Sequence, residues 1–258
     1  MKKIIFIFLC ICLFACNESK EKKVAETRKN TELLAFNLKG KVQQTDETVT
    51  TIDSMGVSKS DSMVSVTLFD SIGYQTERYT KNASGKKVSE QLFVRNPDGS
   101  FAEFKSLKNG KQGSRLVTEM KDGKYIGGKN YDSTDKQDGF FTDLVNNEYG
   151  QVNEGKQHFM DGRVKSTFSS KYQGPLYIGG SSTDSTGKTD YTGTVTLDDK
   201  GNAISETTTT MNKGVSKTET NTFKYEFDEK GNWIMRTTFN DKGKPTMITK
   251  RTISYFNN

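Results

Sequence analysis

From about Leu38 to the C-terminus, short runs of alternating apolar and polar residues are separated by glycine-centred breaks. Ser65 and Thr67 separate Val64, Val66 and Leu68; Lys224 and Glu226 separate Phe223, Tyr225 and Phe227. A period of two places alternate side chains on opposite faces of a sheet, so these runs predict strands. Glycines preceded within three residues by Asp, Asn or Ser recur at Gly73, Gly85, Gly99, Gly110, Gly123, Gly139, Gly150, Gly162, Gly187, Gly201, Gly214, Gly231 and Gly243. Glycine accepts positive φ, and Asp or Asn side chains bond the turn backbone, so each of these predicts a turn. No stretch after the first 40 residues sustains a 3.6-residue apolar stripe. The pattern is that of an antiparallel β-meander.

The beginning of the chain is different. Met1-Lys2-Lys3 precedes an apolar run ending Leu13-Phe14-Ala15-Cys16. A basic start, a short apolar core and a small residue before a polar stretch make a secretory signal, too short for a stable span. The ending resembles a bacterial lipobox, which implies cleavage before Cys16 and acylation of its thiol. Asn17 gives no inner-membrane retention signal of the Asp kind, so the resemblance implies the outer membrane. Residues 17–32 are almost wholly polar and read as a disordered tether; Val24, Ala25 and Leu33-Leu34 are too loosely spaced to predict a helix. The expected organisation is a signal peptide over 1–15, a lipidated tether over 16–35 and one β-domain over 36–258.

Three of the turns share a pattern of apolar residue, Asp or Asn, two polar residues, Gly, then Asn or Lys. They are Leu197-Asp198-Asp199-Lys200-Gly201-Asn202, Phe227-Asp228-Glu229-Lys230-Gly231-Asn232 and Phe239-Asn240-Asp241-Lys242-Gly243-Lys244. The pattern resembles the YD repeat of RHS-type proteins. Asn109-Gly110-Lys111-Gln112-Gly113 and Asp122-Gly123-Lys124-Tyr125-Ile126-Gly127-Gly128 are similar to MORN-type hairpin repeats. Both resemblances imply strand-turn-strand units and no chemistry.

Composition sharpens the fold expectation. With 32% hydrophobic residues, a sheet with one apolar and one wet face fits better than a thick two-layer core. The expected fold is all-β, a single curved sheet or an open barrel. The net charge of +6 falls by two when Lys2 and Lys3 leave with the signal, and no run of five like charges occurs. That is not a nucleic-acid footprint. Cys10 and Cys12 leave with the signal, so the mature domain has no disulfide to stabilise it.

Catalytic chemistry is sparse. The single histidine, His158, cannot form a multi-histidine metal site, and is expected to be an ordinary strand residue near a hairpin end. Glu77, Glu103, Glu119 and Glu226 suggest no shared cleft for a carboxylate pair. Asp132, Asp135, Asp138 and Asp143 surround Gly139 in an expected loop, but their spacing of three is not that of an EF-hand, and a solvated acidic turn is the expectation. Trp233 and Tyr225 are candidates for stacking a sugar ring, although such rows more often form a buried face. Asp-Ser followed by an apolar residue or Thr recurs around Ser54, Ser62, Ser71, Ser133 and Ser185. This resembles the acceptor signal of a general O-glycosylation system in one large phylum of Gram-negative bacteria; Asp-Ser is also ordinary turn chemistry.

The sequence therefore reads as an outer-membrane lipoprotein acting as a binding or scaffolding module, with no cofactor and no catalysis. Its expected partners are the membrane, through Cys16, and a protein or glycan. The alternatives are a carbohydrate- or peptide-binding component of an uptake or adhesion complex, and an immunity-like protein that binds a toxin. Because Cys16 would be the only thiol left after processing, Cys16→Ser is expected to free the protein from membranes without harming its fold. Fractionation in detergent-free buffer checks this; a substituted protein that is normally processed and still sediments with membranes contradicts it.

Overall fold

A computed structural model describes residues 31–97, 99–212 and 214–257. The lipobox and the proposed acyl site at Cys16 lie outside the described residues. The described chain begins with one helical turn, α1 (Glu32–Ala35). The strands of its first half are β1 (Val42–Ile52), β2 (Ser58–Phe69), β3 (Gln75–Lys81), β4 (Lys87–Arg95), β5 (Phe101–Lys108), β6 (Lys111–Lys121), β7 (Lys124–Tyr131) and β8 (Gln137–Asn146). The second half supplies β9 (Val152–His158), β10 (Val164–Gln173), β11 (Leu176–Thr183), β12 (Thr189–Leu197), β13 (Ala203–Asn212), β14 (Val215–Phe227), β15 (Trp233–Phe239) and β16 (Pro245–Tyr255).

Each strand pairs antiparallel with its sequence neighbours, and β1 pairs with β16, so the meander closes into a barrel. The sequence pointed to a curved sheet or an open barrel; the pairing of Val42 with Tyr255 through Thr51 with Met247 removes the free edge.

The turns follow the expected chemistry. At Asp70 the carboxylate accepts the N–H groups of Ile72, Gly73 and Tyr74; at Asp228 it accepts those of Lys230 and Asn232. Gly73 and Gly231 adopt φ of 108° and 77°, the left-handed region that a side chain resists. Gly139 is a correction. It lies within β8, not in a turn, and a Cβ there would come 2.7 Å from the His158 carbonyl. The turn before it is Asp132–Lys136, where Asp135 takes the positive φ of 62°.

Burial tells the two faces apart. On β16 Thr249 is buried while Lys250, Thr252 and Ser254 are exposed; on β14 Phe223 and Tyr225 are half-buried between exposed Thr222, Lys224 and Glu226. Followed strand by strand through the registers, the Thr249 face is the inner one. It carries Phe93, Phe104, Leu116, Phe141, Phe168 and Phe223. The outer face carries ion pairs: Lys81 with Asp46, Lys87 with Glu77, Lys105 and Arg115 with Glu103, and Lys129 with Glu119. From β10 to β14 the outer wall changes to hydroxyl pairs, Thr167 with Thr183 (2.7 Å), Ser169 with Ser181 (3.0 Å) and Thr207 with Thr220 (3.0 Å).

Residues 31–41 form a strap across the barrel mouth through which the chain enters. Leu33 donates its N–H to Gly73 between β2 and β3, and Glu32 pairs with Arg95 on β4. A few residues later Asn37 donates to Lys200 O and Asn202 Oδ1 between β12 and β13. A round ring of this size would hold those two hairpins roughly 25 Å apart; one helical turn and two side chains bridge them here. Leu33 and Leu38 pack with Val42 and Phe69 beneath the strap. This packing explains why α1 forms without helical periodicity: tertiary contacts, not propensity, hold so short a segment. The packed domain thus begins by Thr31, which is 6% exposed, ahead of residue 36.

Asn232 is the strap's main latch. Its Oδ1 accepts the Lys39 N–H at 2.7 Å, and its Nδ2 donates to the Lys39 carbonyl at 2.9 Å and to the Tyr255 hydroxyl, which donates in turn to Asp228. Asn232→Ala leaves the Lys39 amide groups unpaired and is expected to cost about 2–3 kcal/mol in chemical denaturation. Burial and the bond to Asp228 push the Tyr255 phenol up to about 12, from 10.0. A raised folded pKa keeps its stabilisation below the unfolded value and loses it as pH rises through the folded one. The melting temperature is therefore expected to fall between pH 10 and 12, and less so in Tyr255→Phe.

Candidate functional site

Two places on the inner face combine side chains in ways that suggest ligands. The first is an apolar cavity of about 250 Å³ bounded by β5 to β10, with Leu116, Phe141, Leu144 and Phe168 among its walls. Its polar neighbours are satisfied. Thr118 Oγ1 donates to the Phe101 carbonyl at 2.6 Å, and the Tyr125 hydroxyl accepts the Phe101 N–H at 2.8 Å. Glycines make the room. A Cβ on Gly155 would lie 2.5 Å from Leu144 Cδ2 and 2.6 Å from Phe168 Cζ, and one on Gly128 would lie 3.0 Å from the Val117 carbonyl. These are strand glycines, which mark close approach rather than turns.

The second place is near the strap, on β14 to β16. Trp233 packs on Tyr225 at 6.1 Å between ring centroids, and the Arg251 guanidinium lies 3.3 Å over the Trp233 ring. Arg251 Nε donates to Glu47 at 2.8 Å. Arg236 stands over Phe223 and Trp233, 5.4 Å from each centroid. Burial lowers the proton affinity of Arg251, against the pull of Glu47. Burial also raises the Tyr225 phenol, which donates to the Ala203 carbonyl at 2.6 Å. Here the structure brings together both stacking candidates, Trp233 and Tyr225. What the sequence reading missed are the two arginines, whose only signal was their place in period-two runs, Arg236 two residues before Thr238 and Arg251 two residues after Thr249.

The remaining candidates stay apart. His158 stacks on Phe140 at 4.8 Å, with Nε2 2.8 Å from Thr142 Oγ1 and Nδ1 3.0 Å from the Gly162 carbonyl. Asp135 pairs with Arg115 and Asp143 with Lys156, while Asp132 is occupied by the turn N–H groups of Thr134 and Lys136. These acids do not converge as a loop cluster would. Ser54, Ser62, Ser71, Ser133 and Ser185 are all exposed. All but Ser62 lie in hairpin turns.

The sequence matches no protein-family model and no curated protein. Solved structures do resemble the fold. A porin-like protein from Bacteroides uniformis is 12% identical with a TM-score of 0.55, the match covering 83% of this chain and 96% of that one. A porin-like protein from Bacteroides vulgatus is also 12% identical, with a TM-score of 0.43, covering 82% of this chain and 98% of that one. At such identity the first likeness shows the barrel architecture alone.

Gly155→Ala is expected to overpack the first cavity's wall and lower stability by about 1–3 kcal/mol. Trp233→Ala is expected to cost about 3–5 kcal/mol. Urea denaturation of both variants checks these; a wild-type midpoint for Trp233→Ala would mark its ring as a surface platform instead.

Proposed function

We propose that this chain is a non-catalytic binding module of the cell envelope, held to the outer membrane by a lipid on Cys16, which takes an apolar ligand inside its barrel. The observation that carries this reading is the distribution of chemistry between the two faces. A membrane-spanning barrel needs an apolar outer band, and each Lys or Arg facing lipid near the midplane costs about 2–4 kcal/mol. Lys81, Lys87, Lys105 and Lys129 stand on the outer wall beside their carboxylates, while the apolar cavity faces inward. Such a ring belongs in water with its ligand inside. The tether is continuous with the strap, so the strapped mouth faces the bilayer, at most about 50 Å from Cys16, and the opposite mouth points away. The exposed serines of the Asp-Ser motifs sit where an O-linked glycan would meet no wall.

The test uses the Cys16→Ser protein and a neutral apolar fluorophore, N-phenyl-1-naphthylamine. Saturable binding is expected, weakened at least tenfold by Leu116→Trp, which fills the cavity. Absence of saturable binding, or equal binding by the variant, contradicts the reading. For the serines, the intact mass of native protein is expected to exceed the lipoprotein mass by whole glycan units.

A further inference from the structure

On the strands, four arginines point into the barrel, and three of them have a partner there. Arg95 pairs with Glu32, Arg251 pairs with Glu47, and Arg236 lies over the rings of Phe223 and Trp233. The fourth is Arg78 on β3, directly opposed by Thr67 on β2 and Gln91 on β4. Among the described residues no carboxylate lies within ion-pair distance of Arg78, and no ring lies under its guanidinium.

The wall around Arg78 is polar throughout. Ser65, Thr80 and Ser89 make the next inward row toward the unstrapped mouth, directly opposed across β2, β3 and β4. With Arg78 and Gln91 they line a recess of about 180 Å³; Tyr79 also borders it, although its ring lies on the outer wall under Lys87. Directly opposed side chains lie about 5 Å apart at Cβ and diagonal ones about 7–8 Å, so two adjacent rows border one volume. Arg78 and Ser89 are exposed, and Ser65, Thr80 and Gln91 half-buried, so this wall adjoins open space rather than packed protein. None of the five makes a side-chain hydrogen bond with another described residue. Hydroxyls nearby do pair, as Ser106 does with Ser114 at 2.8 Å.

The charge is one-sided as well. The inward positions of β3 to β6 include Arg78, Arg95 and Lys108 and no carboxylate. Glu32 of the strap neutralises Arg95. Lys108 directly opposes Ser89 and adds a second positive charge beside the recess. A concave wall of one sign concentrates counter-ions.

A guanidinium offers a planar fork of donors that matches a carboxylate, sulfate or phosphate group. The recess has room for more than the oxyanion, since a cavity of about 150 Å³ accommodates a benzene ring. Apart from Arg78, its polar side chains are three hydroxyls and an amide. An apolar body would leave these unpaired, whereas a hydroxylated one would exchange hydrogen bonds with each. Thr80 and Ser89 stand within two residues of the ends of β3 and β4 at the unstrapped mouth, the side open to a water-soluble ligand.

We infer that Ser65, Arg78, Thr80, Ser89 and Gln91 form a binding site for an acidic sugar, whose oxyanion seats on Arg78 and whose hydroxyls meet the other four side chains. The site is separate from the apolar cavity of β5 to β10 and does not depend on a ligand there.

The experiment titrates glucuronate, glucose-6-phosphate, glucose and inorganic sulfate into the Cys16→Ser protein by calorimetry, at ionic strength matched with chloride. Saturable binding of at least one acidic sugar is expected, the tighter of the two identifying the oxyanion, with glucose and sulfate at least tenfold weaker. Arg78→Gln is expected to weaken acidic-sugar binding at least tenfold. Gln91→Leu, close in volume and leaving every charge in place, is expected to weaken it severalfold. Both variants are expected to melt near the wild-type temperature, because neither side chain bonds another part of the fold. No saturable binding of either acidic sugar by the folded protein overturns the inference, as does unchanged affinity in both variants. Sulfate binding as tightly as the acidic sugars overturns the sugar body and marks an adventitious ion only. Because N-phenyl-1-naphthylamine is neutral and apolar, loss of its binding in Leu116→Trp and loss of acidic-sugar binding in Arg78→Gln are independent results.

Discussion

Everything in this molecule depends on one pairing, that of β1 with β16. The two strands are about two hundred residues apart in sequence, and their ladder from Val42–Tyr255 to Thr51–Met247 is the longest-range contact in the sheet. Without it, the meander would end in two strands with unpaired N–H and C=O groups, the usual seed of edge-to-edge association. Closure also creates an inside. A half-apolar sheet with no second layer has nowhere to hide its phenylalanines; curled onto itself, it shelters them. The described residues contain no cysteine, so this non-local pairing takes the place of a covalent staple within them, and the strap reinforces it: Asn232 fixes Lys39 just before β1, while Tyr255 at the end of β16 bonds both Asn232 and Asp228.

The second constraint is which cation goes where. Lys81, Lys87, Lys105 and Lys129 stand on the outer wall, as Arg115 does beside Glu103, whereas Arg95, Arg236 and Arg251 point inward at the strapped end. The physical reason is that guanidinium is weakly hydrated, stacks on aromatic faces and offers a planar fork to carboxylates. Arg95 lies 4.2 Å over Tyr74 while pairing with Glu32, and Arg251 lies over Trp233 while pairing with Glu47. The interior is consequently apolar over β5 to β10 and cationic and aromatic over β14 to β16. One ring thus presents two chemically distinct walls.

Much of this was legible in the chain itself. The glycine breaks led by Asp or Asn located most hairpins because the turn is a local matter of one side-chain oxygen and one positive φ. Gly139 misled because its role is non-local: it clears the His158 carbonyl on the neighbouring strand, and no residue near it in sequence signals that. The closure was hidden for the same reason, since β1, with Gln44, Thr45, Asp46, Glu47 and Thr48, has no apolar alternation to mark its face. The strap was hidden as well, because α1 is held by Gly73, Arg95 and Asn202 rather than by its own residues. A faint signal was present in the repeat's last position. Asn202 and Asn232 end the two units that meet the strap, whereas Lys244 ends the unit at the opposite mouth, where a side chain has only water to satisfy.

Amide hydrogen exchange resolved by residue tests the closed ring most directly. If β1 and β16 are joined, the amides from Thr45 to Val49 and from Thr249 to Ile253 exchange as slowly as those in the middle of β7 and β8, through global unfolding alone. If the sheet is open, every second amide along β1 and β16 exchanges quickly while the central hairpins stay protected, and both the shielded interior and the sites within it are contradicted.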